Sequence, residues 1–284
     1  MASEQNNSSG IFSGALIVSD YDGTLAYNGT IPEGNVKAIE YFNANGGMFS
    51  LASGRAEFIL DNICPDVRRV CNAPSILSNG SYLYDFVNSE YLYETFMEQA
   101  PIKSMLFEIH SIDPTAGIRI IRGGTMITPD RTPEIEFQIK NGYVKDITTF
   151  TFASIPVDRY NKVTVCAEPD KVDRMQKELS KRYSAYYMIT KSAARILEIQ
   201  NRKVSKGQMV ERVRDVVEKR TGTKRTLYCV GNYENDIDLL KVGDHACCPA
   251  DSLQSVIDMC DVVLCNCDEC SIADLISRIE KGVI

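Results

Sequence analysis

A short apolar run, Ala15-Leu16-Ile17-Val18, leads through Ser19 into Asp20-Tyr21-Asp22-Gly23-Thr24. This junction constrains the fold more than any other stretch. A buried strand ending in two carboxylates needs a cation or strong donors beside it, because desolvating an ionised carboxylate is costly. Extended backbone points residues 20 and 22 to the same side. That arrangement suits an oxygen-ligated metal beside a carboxylate nucleophile. Asp and Gly are also ordinary turn formers, so the rest of the chain has to decide between a site and a turn.

Strands and helices alternate around this junction. Ala15–Ser19 reads as a strand, and a helix over 33–45 starts at Pro32-Glu33 and stops at Asn45-Gly46-Gly47. Val36, Ile39 and Phe42 form its apolar stripe. Residues 48–52 are a second strand ending at Ser53-Gly54-Arg55, 56–63 a helix, and 75–77 a strand ending at Ser78-Asn79-Gly80. The alternation returns after residue 200. Ser205 caps a helix over 206–219, and a strand over 226–230 ends at Gly231-Asn232. Short strands and helices then run to the end. This is the pattern of an α/β, doubly wound, Rossmann-like parallel sheet, whose ligands bind at the carboxyl ends of its strands.

Between these halves the pattern changes. A hairpin over 82–96, a helix over 102–110 and a strand over 117–122 precede an irregular stretch, 125–155. A strand at 162–166, a helix over 170–183 and strands at 186–190 and 195–199 follow. These segments predict an inserted α+β domain. Tyr82, Tyr84, Tyr91 and Tyr93 have strand spacing and read as packing residues.

Composition excludes several function classes. A net charge of −7 argues against a nucleic-acid surface. No apolar run approaches the roughly 18 residues of a membrane span. The polar start, residues 1–13, reads as a disordered leader without a secretory signal. Ten cysteines in such a chain point to reduced thiols and a cytoplasmic protein. The run Cys265-Asn266-Cys267-Asp268-Glu269-Cys270 lacks paired knuckle spacing, so its thiols read as buried small side chains rather than a zinc site.

Four loops now sit at strand ends or helix starts. The paired aspartates come first. Ser53-Gly54 offers a hydroxyl and a flexible backbone N–H, the groups that bind phosphate oxygens. Lys206, in the first turn of its helix, opposes the helix dipole and so answers a negative charge elsewhere. Gly231-Asn232-Tyr233-Glu234-Asn235-Asp236 brings amide and carboxylate oxygens suited to Mg2+.

In this order the motifs resemble those of the haloacid dehalogenase superfamily, in particular its Cof-type phosphatases with a large α/β cap. Asp20-Tyr21-Asp22-Gly23-Thr24-Leu25 matches the first motif, Ser53-Gly54-Arg55 the second, Lys206-Gly207 the third, and the loop from Gly231 to Asp236 the fourth. The resemblance covers residues 14–280. It implies a catalytic core at 14–81 and 191–284 and a cap at 82–190 that selects the substrate. It also implies a Mg2+-dependent phosphatase acting on a small phosphorylated metabolite through an aspartyl-phosphate. Asp20 would be nucleophile and Asp22 proton carrier, with Ser53 and Lys206 neutralising charge. Phosphate would contact Tyr21, Ser53, Gly54, Lys206 and Asn235; the metal would contact Asp20, Asp22, Asn232 and Asp236.

One departure stands out. Asn232 occupies a position where the family usually has Asp, which predicts weaker Mg2+ binding and gives Asp236 as a second anionic ligand. A phosphomutase and a non-catalytic phosphometabolite-binding protein are the competing readings. The insert's Arg119, Arg122, Arg131 and Lys162 read as solvated surface cations.

Overall fold

The structure, a computed structural model, describes residues 10–142 and 144–284. Two compact units divide it. One comprises the chain up to Tyr93 together with Ser205–Ile284, the other Glu94–Val204. Of the expected leader, residues 1–9 lie outside the described residues. Residues 10–13 are ordered, because the ring of Phe12 packs 4.9 Å from that of Phe42 and its N–H donates to Asn45 O at 3.0 Å.

The first unit opens with β1 (Ala15–Ser19), α1 (Glu33–Ala44), β2 (Met48–Leu51), α2 (Glu57–Ile63), α3 (Val67–Val70), β3 (Ser75–Leu77), β4 (Tyr82–Asp85) and β5 (Glu90–Glu94). The second contains α4 (Ile102–Ile112), β6 (Gly117–Arg122), β7 (Thr125–Thr128), α5 (Pro133–Lys140), β8 (Thr148–Thr149), β9 (Tyr160–Cys166), α6 (Pro169–Tyr183), β10 (Tyr187–Ala193) and β11 (Ile196–Asn201). The chain then completes the first unit with α7 (Lys206–Thr221), β12 (Thr226–Val230), α8 (Ile237–Leu240), β13 (His245–Pro249), α9 (Gln254–Ile257), β14 (Val262–Leu264) and α10 (Ser271–Glu280).

Five parallel strands form the first unit's main sheet in the order β14-β13-β12-β1-β2. β1 is buried throughout, and its side chains alternate between two cores. Ile17 faces a cluster with Val36, Ile39, Phe42 and Leu275, while Leu16 and Val18 face Met209, Val210, Val213 and Leu239. A strand covered on both faces has to be apolar on both, which explains the unbroken run in the sequence. The chain leaves β1 toward β2 on one side and returns through β12 on the other. The strand order thus reverses at β1, the place where open α/β sheets bind ligands.

The second unit is a six-stranded sheet, β10-β11-β9-β6-β7-β8, with α4 and α6 on one face. Its limits differ from the expected 82–190 for two reasons. β4 pairs with β3 inside the first unit, and β10 and β11 extend the ladder of β9. The stretch expected to be irregular contains β7, α5 and β8. Gly123 and Gly124, both at positive φ, turn β6 into β7, and Thr132 Oγ1 caps α5 ahead of Pro133.

Three of the four cations expected to be solvated carry ion pairs, and one of those pairs is buried. Lys162 is 5 % exposed and pairs with Glu198 at 2.8 Å, Arg122 pairs with Asp158 at 2.7 Å, and Arg131 with Glu136 at 2.5 Å. Arg119 reaches Cys166 Sγ at 3.5 Å. Among the described residues no helix is long and apolar enough to cross a membrane.

Candidate active site

The register Ser19↔Val230 brings the carboxyl ends of β1 and β12 side by side, and the Asp20 N–H donates to Val230 O at 2.8 Å. The chain then folds tightly, with Ala26 N–H on Tyr21 O (2.8 Å) and Gly23 N–H on Ala26 O (2.9 Å). Asp20 ends up buried, while Asp22 stands half out in solvent.

Lys206 meets Asp20 from the first turn of α7. Ser205 Oγ caps that helix on Gln208 N–H, and Lys206 is 2 % exposed. Its Nζ donates to Asp20 Oδ1 at 2.6 Å and to Asp236 Oδ1 at 2.7 Å. A lysine at a helix N-terminus, away from water, is stable only against such carboxylates. Burial alone would lower its pKa; the two carboxylates outweigh that and hold it above the ordinary lysine value. Two carboxylates share one ammonium, so the cluster is one positive charge short. Burial and the neighbouring Asp236 push the Asp20 carboxyl up to about 7.

Asp236 is fully buried and both its oxygens are engaged. Oδ1 takes Lys206, and Oδ2 accepts from Asn232 N–H (3.1 Å) and Tyr233 N–H (3.2 Å). These bonds fold the fourth loop back on itself and aim Lys206. They leave Asp236 poorly suited to the direct metal-ligand role expected from the sequence. The Asn232 amide instead approaches the first loop: a Cβ placed on Gly23 would lie 2.4 Å from its Nδ2. Asn235 is exposed on the turn that leads into α8.

The Ser53-Gly54-Arg55 loop follows β2. Ser53 is buried, and its Oγ accepts from Arg55 N–H at 3.1 Å. The Arg55 guanidinium forks onto Asp22, Nε to Oδ2 and Nη2 to Oδ1, both at 2.8 Å, and lies 5.8 Å from the centre of the Tyr21 ring. Arg55 is the functional side chain that sequence reasoning passed over, although it stands inside the quoted motif. Tyr21 contributes a buried ring whose hydroxyl donates to Gly29 O at 3.0 Å.

The cysteine-rich segment and the start of α10 hold the first loop, the one that carries Asp20 and Asp22. Cys267 Sγ and Ser271 Oγ both donate to Thr24 O, at 3.4 and 3.0 Å. Its thiols are free.

Residues 17–276 match the haloacid dehalogenase-like hydrolases. The chain belongs to this family.

No curated protein matches the chain. A haloacid dehalogenase-like hydrolase from Bacteroides thetaiotaomicron superposes with a TM-score of 0.80 at 20 % identity, covering 94 % of this chain and 99 % of that one. A putative haloacid dehalogenase/Cof-like hydrolase from Plasmodium vivax gives 0.79 at 19 % identity, over 95 % and 96 %. A subclass IIB sugar phosphatase gives 0.75 at 19 % identity, over 95 % and 100 %. These structures share the chain's fold.

Mg2+ is the metal this family implies, and the donor set of this haloacid dehalogenase-like chain can be tested against it. The buried cluster lacks one positive charge, and a divalent cation would supply it. Arg55 holds both oxygens of Asp22, and Lys206 with two backbone N–H groups holds both of Asp236; Lys206 takes only Oδ1 of Asp20, so Asp20 is left as the anionic donor and Asn232 offers a neutral oxygen. Among the described residues no three His, Cys, Asp or Glu side chains are grouped as ligands. The residues fit a hard, oxygen-ligated cation held with little charge.

Proposed function

We propose that this protein is a phosphatase of small phosphorylated metabolites that works through an aspartyl-phosphate on Asp20. The observation that carries the reading is the buried Lys206 bridging Asp20 and Asp236 at the strand-order reversal, with Asp22 on the open side of the same loop. In the first step an Asp20 oxygen attacks phosphorus and the ester P–O bond breaks. The departing oxygen takes a proton from Asp22. In the second step Asp22 removes a proton from water, whose oxygen attacks phosphorus and frees Asp20. Lys206 and the Ser53 hydroxyl neutralise charge on the transferred group. Mg2+ would be held by the Asp20 carboxylate, the Asp22 carbonyl and the Asn232 amide oxygen, and when bound it stabilises negative charge on the phosphoryl oxygens. Arg55 must release Asp22 when that carboxylate takes up or delivers a proton, because the guanidinium engages both of its oxygens. The Glu94–Val204 unit would select the leaving group, and the sugar phosphatase among the similar structures favours a sugar phosphate.

The test is hydrolysis of p-nitrophenyl phosphate, then of a panel of sugar phosphates, with and without Mg2+. Wild type should release free phosphate without accumulating an isomer, and Asp20→Asn should lose at least about a thousandfold in kcat. Asn232→Asp should reach half-maximal rate at lower Mg2+. Turnover that survives Asp20→Asn, or isomer formation without phosphate release, rejects the reading.

A further inference from the structure

Next to the Ser53-Gly54-Arg55 loop the backbone is strained. Ser78, Asn79 and Gly80 have φ of 47°, 55° and 97°. Two successive non-glycine residues in the left-handed region are unusual and persist only where their surroundings determine them. Here the surroundings are the phosphate loop itself. The Ser78 N–H donates to Arg55 O and the Asn79 N–H to Ser53 O, both at 3.0 Å, while the Ser53 N–H donates to Ile76 O at 2.8 Å. The loop is thus templated along its length by residues 76–79.

The Asn79 side chain adds a second hold. A Cβ placed on Gly54 would lie 2.8 Å from Asn79 Oδ1 and 3.6 Å from its Nδ2, so the amide packs oxygen-first against Gly54. Any side chain at position 54 would have to displace the Asn79 amide. The turn is anchored on its far side as well: a Cβ on Gly80 would lie 2.3 Å from Ser205 O, one residue before Lys206. Ser78 Oγ donates to the Tyr82 hydroxyl at 3.4 Å, and that hydroxyl donates to Glu57 Oε2 at 2.6 Å, in the first turn of α2. Tyr91 donates to the other oxygen of the same carboxylate. A turn that only routed the chain from β3 to β4 would need none of these bonds to the loop.

We infer that Asn79 is a positioning residue for phosphoryl transfer. Its amide braces Gly54, and its N–H fixes the Ser53 carbonyl. Together they set the direction in which the Ser53 hydroxyl meets the phosphoryl oxygens. Donors fixed before the reaction stabilise developing charge without reorganising. This rests on the phosphatase reading above, in which the loop binds the transferred group.

Asn79→Gly separates positioning from structure. Glycine adopts φ of 55° without strain and keeps the backbone N–H, so only the side chain is lost. Thermal stability should change little. kcat/KM for p-nitrophenyl phosphate should fall at least about thirtyfold, and the Kd for inorganic phosphate with Mg2+, measured by calorimetry, should rise about tenfold. Asn79→Asp keeps Oδ1 and tolerates the turn, so it should recover part of the loss. If Asn79→Gly stays within about twofold of wild type in both measurements, the inference is overturned. It is equally overturned if activity falls while phosphate affinity is unchanged. Failure of wild type to bind phosphate or turn over substrate is a different result, and it removes the phosphatase reading first.

Discussion

At the scale of residues, the site turns on a charge imbalance that can be titrated. Asp20 and Asp236 share Lys206 out of water, and burial followed by Asp236 raises Asp20 to about 7 from the usual carboxylate value of 3.8. A raised pKa means that the folded chain binds the proton more tightly than the unfolded one. Its stabilisation is fully present below about pH 4 and is lost as pH climbs through 7. The lowered carboxyls of Asp85, Asp158 and Asp274 act in the opposite sense, but only in more acidic solution. Between pH 5 and 8 the metal-free protein should therefore become less stable as pH rises, by up to about 1.4 kcal/mol per pH unit near pH 5 and about half that at pH 7. Urea midpoints measured in chelator check this, with Asp20→Asn expected to flatten the profile. Added Mg2+ should raise stability more at pH 8 than at pH 5. A midpoint that is level from pH 5 to 8 without metal would remove the imbalance as the reason for a cation.

At the scale of elements, the depth of Lys206 depends on how closely α7 approaches α8. A Cβ on Gly207 would lie 2.2 Å from Asp238 O, and the Gly207 N–H donates to Asp238 Oδ2 at 3.1 Å. Gly207→Ala should force the helices apart, cost about 1–3 kcal/mol in urea unfolding, and lower activity by displacing the lysine. Gly14→Ala, where an added Cβ meets nothing within 4 Å, is the neutral control. The same contrast explains what the sequence could and could not reveal. Strands such as β1 and β12 were legible because burial on both faces leaves an unbroken apolar run, and α7 because Ser205 caps an amphipathic stripe. The loops' roles were legible as chemistry, since a carboxylate, lysine and hydroxyl each name a task. Their partners were not. Nothing in residue spacing says that Arg55 forks onto Asp22, or that Lys206 takes Asp236 Oδ1, because those bonds join loops distant in the chain. α5 was missed for another reason: its apolar stripe is short, and the Thr132-Pro133 start signal was outweighed by neighbouring prolines and threonines.

At the scale of the whole molecule, each apolar cluster is drawn from one unit. The cluster of the second runs from Met97 to Ile199 and includes Ile102, Leu106, Val163, Val172, Leu179 and Leu197. Its two chain ends are tied within it as well. Asn201 Nδ2 donates to Phe96 O and Met97 N–H to Tyr160 O, both at 2.7 Å, and the Tyr187 hydroxyl donates to Glu98 O. A segment of about 110 residues with its own core and closed ends has what independent folding requires. Residues 94–204 expressed alone should therefore give dispersed amide resonances and one cooperative urea transition. The Asp20–Lys206–Asp236 cluster and the Ser53 loop both belong to the other unit. Mg2+ with orthovanadate, a phosphate mimic, should consequently stabilise the full chain by about 2.7 kcal/mol at a hundredfold excess over its dissociation constant. The same additives should leave the fragment's midpoint unmoved. A fragment that stays unfolded would show that the second unit depends on the first for its stability. A fragment stabilised by those ligands would place phosphate-binding groups in Glu94–Val204, and the division of chemistry from selection between the two units would have to be redrawn.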